Sequence, residues 1–127
     1  MDRTYKKLIS LFILILIFGI SLGILNATIF PVIHVWEMNE ITLTAEQEYD
    51  NYYTDVTCWV ELEGPNFSQR VYGFWDGDNI YKVRVVVTEV GEWSWTSGSN
   101  QTGDEGLNNQ SGKFTAVAWT EAEKESA

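Results

Sequence analysis

Residues 80–89, IYKVRVVVTE, alternate Tyr81, Val83, Val85 and Val87 with Lys82, Arg84 and Val86. A period of two sends one set to one side of an extended strand and the other set to the opposite side, a division no helix makes. The same period recurs along the chain. In DVTCWVELEGP (55–65), Val56, Cys58, Val60 and Leu62 oppose Thr57, Trp59, Glu61 and Glu63 until Gly64, Pro65 and Asn66 break the run. In NEITLTAE (39–46), Ile41, Leu43 and Ala45 oppose Thr42 and Thr44. With RVYGFW (70–75), GEWSWTS (91–97) and KFTAVAW (113–119), these stretches make an expected set of six strands. DGDN (76–79) forms a tight connection and residues 98–112 a polar loop. Short strands punctuated at this spacing predict an all-β fold, an antiparallel β-sandwich.

GEWSWTSGS packs two tryptophans into nine otherwise small or polar residues. Trp93 and Trp95 share a strand face, while Glu92, Ser94 and Thr96 share the other. Exposing two indoles and burying an unpaired carboxylate would cost several kcal/mol. Both tryptophans are therefore expected in the core.

The chain begins differently. MDRTYKK carries three basic residues, and residues 8–25, LISLFILILIFGISLGIL, carry no charge. A basic start followed by an apolar run marks an export leader. Its 18 residues exceed the usual signal core of about 7–15 and sit at the short limit for a bilayer span. Residues 1–27 are thus expected to form a helical signal peptide or membrane anchor, with the remainder exported to an extracellular or periplasmic location. Three of the eight Lys and Arg and one of the eighteen Asp and Glu lie in this leader. The exported remainder holds five bases against seventeen acids, a formal charge of −12. Such a surface repels nucleic-acid phosphates and anionic lipid, so nucleic acid is excluded as a partner and the membrane is met only through the N-terminal segment. Cys58 is the only cysteine, so no intrachain disulfide forms, and its place in the alternation predicts a hidden thiol.

The stretches VWE, ITLTA, YTDVTCWVELEGP, VYGFWDGDNIYKVRV, GEWSWTSGSNQ and SGKFTAVAWTEAE occur one after another in this order. Together they resemble the family of domain of unknown function 5060, with GFWDG and GEWSW at this spacing as the specific pair. The resemblance covers about residues 35–123. It implies an immunoglobulin-like sandwich, here over 34–119, that precedes an apiosidase-like (β/α)8 barrel of glycoside-hydrolase type in exported bacterial proteins. Residues 120–127, TEAEKESA, then read as the beginning of a linker toward a domain beyond residue 127, and the barrel's catalytic carboxylates are not among the 127 residues.

The remaining residues offer little chemistry. Glycoside hydrolysis needs two carboxylates flanking a scissile bond, and the acids here form no recognisable pair. His34, the only histidine, is placed outside the strands, just past the leader. The chain is therefore read as no enzyme, with no catalytic residue and no cofactor. DGDN offers Asp76, Asp78 and Asn79 as calcium ligands, but the distal glutamate of a calcium loop is missing and Asp-Gly is a hairpin signal, so no metal is expected. Trp59 falls on the outward face of its strand, and Tyr72 and Phe74 share a face with Arg70 if RVYGFW is one regular strand. These three aromatics are the candidate contacts, either with the adjacent barrel or with a polysaccharide. The expected function is a non-catalytic accessory module that packs against or orients a catalytic barrel. The alternative is an independent carbohydrate-binding module.

Overall fold

The computed structural model describes residues 30–126, so the expected leader helix lies outside the described residues. Among the described residues no helix is long and apolar enough to cross a membrane. The described residues form an all-β fold, with eight strands in two sheets. The strands are β1 (Val32–His34), β2 (Met38–Thr44), β3 (Cys58–Gly64), β4 (Phe67–Tyr72), β5 (Phe74–Trp75), β6 (Ile80–Val86), β7 (Gly91–Ser99) and β8 (Ser111–Val117). A short helix, α1 (Glu121–Ser126), comes after them. One sheet runs β1-β8-β7-β3-β4 and the other β2-β6-β5.

The period-two stretches set the core. From β3, Cys58, Val60 and Leu62 point inward; from β6, Tyr81, Val83 and Val85; from β2, Ile41 and Leu43, all of them buried. Residues facing each other across the strands share this assignment: Ile41 lies opposite Val83, and Leu43 opposite Tyr81. Burial pushes the Cys58 thiol up to about 11, as expected for a sulfur removed from water.

Three details depart from the sequence reading. RVYGFW is not one strand. β4 ends at Tyr72 in the five-stranded sheet, and Phe74 pairs with Lys82 in the three-stranded sheet. Gly73 makes the crossing between them, and there is no room for a side chain. Its N–H donates to the Cys58 carbonyl at 2.9 Å, and a Cβ would stand 2.9 Å from the Lys82 carbonyl oxygen and 3.0 Å from the Cys58 sulfur.

The second departure concerns direction. The sandwich is antiparallel except at one edge, where β1 runs parallel to β8, with Ile33 opposite Ala116. His34 therefore belongs to a strand. Three residues are too few to carry a periodic signal, which is why this edge escapes sequence reading.

The third is the tryptophan pair. Trp93 is only 1% exposed, tilts against Phe67 with ring centroids 5.2 Å apart, and donates its indole N–H to the Glu89 carbonyl at 2.9 Å. Trp95 points to the same inner side but is half-buried. A crevice opens beside β1, β2 and β8. Trp95 lines this crevice of about 440 Å³ together with Ile33, Ile41, Val85 and Phe114.

The strands give the sandwich two unlike ends. At one lie the connection 45–57, the turn 76–79 and the loop 100–110; this is the loop end. Asp104 is its hub, fully buried. Its Oδ1 accepts the backbone N–H groups of Glu46 and Gly106, both at 3.0 Å; its Oδ2 accepts Gln47 N–H at 3.1 Å and the Tyr49 hydroxyl at 2.7 Å. Burial alone would push the Asp104 carboxyl up, but these hydrogen bonds outweigh it and hold the group below its ordinary value. At the opposite end β8 leaves toward α1, and this is the exit end.

Candidate functional site

Trp59 and Tyr72 come together as neighbours on the outer face of the five-stranded sheet. They lie directly opposite each other on β3 and β4, with ring centroids 6.1 Å apart in an edge-on arrangement. Gly98 stands opposite Trp59 on β7, so close that a Cβ there would fall 2.6 Å from the indole nitrogen. The Arg70 guanidinium lies over the Trp59 ring, 4.2 Å from its centroid. Arg70 Nε also donates to Glu61 Oε1 at 2.6 Å. Hydrogen bonds to Glu61 first, then Tyr72, raise the guanidinium further above its already high value. A sugar ring could stack on the arginine-covered side of Trp59 only by displacing that cation.

Phe74 is not part of this patch. It lies on the outer face of the three-stranded sheet, with the Arg84 guanidinium 4.8 Å from its ring centroid. The crossing at Gly73 separates what a regular strand would have joined. Phe74 shares its face with the exposed pair Met38 and Val86, which stand opposite each other on β2 and β6.

DGDN closes a turn. Ile80 N–H donates to the Gly77 carbonyl at 3.0 Å, Asp76 N–H to the Ile80 carbonyl at 2.8 Å, and Gly77 and Asp78 both take positive φ. Among the described residues no three His, Cys, Asp or Glu side chains gather to hold a metal ion.

The exit end carries no signal in the period-two alternation of the strands. Trp119, just beyond β8, stacks on His34 with ring centroids 4.0 Å apart and planes 18° apart, and its indole N–H donates to the Val35 carbonyl at 2.8 Å. His34 Nε2 reaches Glu123 Oε2 at 2.5 Å. α1 starts with a capping box: Glu123 N–H donates to the Thr120 hydroxyl and Thr120 N–H to Glu123 Oε1, both at 3.1 Å. Hydrogen bonds from Thr120, side chain first and then backbone, hold the Glu123 carboxyl below its ordinary value. The signal was readable in T-E-A-E, the Ser/Thr-x-x-Glu pattern of a helix start. Beside this clamp Trp36 is 69% exposed in a left-handed backbone conformation, φ 65°, its N–H held by the Val87 carbonyl at 2.8 Å. A bulky residue in that conformation is a true outlier. Val90 and Met38 are also exposed at this end.

A family model described as Domain of unknown function (DUF5060) matches residues 32–100. No curated protein matches the chain. Among solved structures, one described as a putative glycoside hydrolase from Bacteroides vulgatus is similar, with a TM-score of 0.61 at 22% sequence identity. That similarity covers 72% of this chain and 17% of the Bacteroides protein.

Proposed function

Since the chain belongs to the DUF5060 family, we propose that it is a non-catalytic accessory module of exported proteins related to glycoside hydrolases, packing against or orienting a catalytic barrel joined through its C-terminal segment. The observation that carries this reading is the 17% share: the sandwich corresponds to a small part of a much longer protein described as a putative glycoside hydrolase. The exit end supports the direction of attachment. Trp119, His34 and Glu123 fix the start of α1 against β1, so a domain following α1 would meet Trp36, Met38 and Val90 first. Several acids already have structural partners. Glu61 holds Arg70, Glu40 pairs with Arg84, and Asp104 is taken up in the loop hub.

Within the sandwich class, we read the connectivity as immunoglobulin-like. The row β8-β7-β3-β4 stands as strands G-F-C-C′ and the row β2-β6-β5 as B-E-D. The chain departs from antibody domains at the core, because Trp59 on the C strand faces outward and Cys58 is a free thiol.

The DNA beyond the codon for Ala127 tests the proposal: a barrel-encoding sequence, in frame or shifted, is expected, and its absence contradicts the accessory role. Hydrolysis of aryl glycosides by the purified chain would overturn the non-catalytic reading.

A further inference from the structure

The loop end holds an open cleft of about 690 Å³ between the segment 45–48, Tyr52 and the turn 77–79, with Trp75 as one wall. This volume lies within the range of small-molecule sites, about 300–1,000 Å³. We propose that this cleft binds a neutral oligosaccharide, stacking a sugar ring on Trp75 while Gln47, Glu46 and Glu48 bond its hydroxyls.

Hydrogen bonds fix each wall and tie the two together. Trp75 is 41% exposed, yet its indole N–H donates to the Asp78 carbonyl at 2.8 Å, which fixes the ring plane at the cleft. Opposite, Asp104 fixes the backbone of Glu46 and Gln47, and Gln47 Nε2 donates to the Gly103 carbonyl at 2.8 Å, leaving its side-chain oxygen as an acceptor. Asn79 Nδ2 ties the turn to the Ala45 carbonyl at 3.0 Å. The floor is held as well: the Tyr81 hydroxyl donates to the Tyr52 carbonyl, and Tyr52 meets Tyr49 edge-on at 5.5 Å. A wall that does not reorganise loses less entropy when a ligand binds.

The lining chemistry selects the ligand. Sugars present apolar C–H faces and a ring of hydroxyls that donate and accept, which matches a half-exposed indole beside carboxylates and amides. No lysine or arginine lines the cleft, and Glu46, Glu48 and Asp78 repel anions, so uronate-rich chains are excluded. The cleft also lies at the end away from α1, so docking of a following domain and occupancy of the cleft fail independently.

The test is isotope-edited NMR titration of the protein with cellohexaose, xylohexaose and mannohexaose, with an oligogalacturonate as the anionic comparison. At least one neutral hexasaccharide should bind at millimolar or tighter affinity, shifting the Trp75 indole N–H and the Gln47 and Asn79 amides, with none from the oligogalacturonate. Trp75→Ala should weaken binding about tenfold or more, while Trp59→Ala leaves it unchanged. Should Trp75→Ala misfold, the map of shifts in the unaltered protein decides alone. No binding by any neutral hexasaccharide, shifts centred on Trp59 or Trp36, or full affinity in a folded Trp75→Ala each overturns the proposal.

Discussion

The two ends of the sandwich are closed by opposite means. Near the exit end the anchor is an indole, Trp93, sealed between the sheets with one hydrogen bond to Glu89. At the loop end the anchor is a carboxylate, Asp104, equally sealed but surrounded by four donors. An apolar anchor draws on the removal of surface from water and tolerates changes of pH. A buried carboxylate holds only while its hydrogen bonds are complete and its charge remains, because an unsatisfied buried polar group is expensive. The polar solution leaves the loops shaped but accessible.

The largest expected effect breaks the apolar side. Trp93→Ala should cost about 3–5 kcal/mol, a large share of the stability of a domain this size. Trp95→Ala should cost clearly less, because Trp95 already borders the open crevice. Urea denaturation of both variants reads the difference, and equal losses would contradict the half-buried placement of Trp95.

Next comes the polar side. Asp104→Asn removes the charge and mismatches its donors, for an expected loss of about 2–3 kcal/mol at neutral pH. The same residue predicts an acid dependence. Its folded pKa is lowered, so the unfolded chain binds the proton first, and its stabilising contribution is complete above about pH 5. The contribution fades as pH falls through about 4 toward the folded value. The stability gap between the unaltered protein and Asp104→Asn should therefore shrink in acid. A gap constant from pH 7 to pH 3 would remove Asp104 from its role.

A smaller effect sharpens the exit end. Trp119→Ala loses a stack on His34 and one hydrogen bond to Val35, worth about 1–2 kcal/mol. The smallest is a null: Cys58 should stay unreactive toward a thiol reagent until denaturant is added, since its thiol is buried and its pKa raised. Rapid native-state labelling would place β3 differently.

The two anchors also differ in how far sequence could reveal them. Trp93 was legible, because its alternation with Glu92 and Ser94 is local and decides which face is buried. Asp104 was not. It sits in a run of Gly, Ser, Asn, Gln and Asp that reads as a solvated loop, and its partners at Glu46 and Gln47 lie almost sixty positions away. The candidate site divides the same way. The outward face of Trp59 is set by the period of β3. The separation of Tyr72 from Phe74 is not, because one glycine carries the chain between sheets without disturbing the hydrophobic pattern. Trp75 was hidden by the same crossing: its neighbourhood comes from the turn 77–79 and the segment 45–48, not from its own strand.

The loop end is a built structure rather than a set of free loops, and native-state amide hydrogen exchange reads that difference residue by residue. The amides of Glu46, Gln47 and Gly106, which donate to Asp104, should exchange nearly as slowly as those of Val60 and Val83 in the core, and far more slowly than those of residues 88–90 at the exit end. Exchange of those three amides at the rate of an unstructured peptide would contradict it.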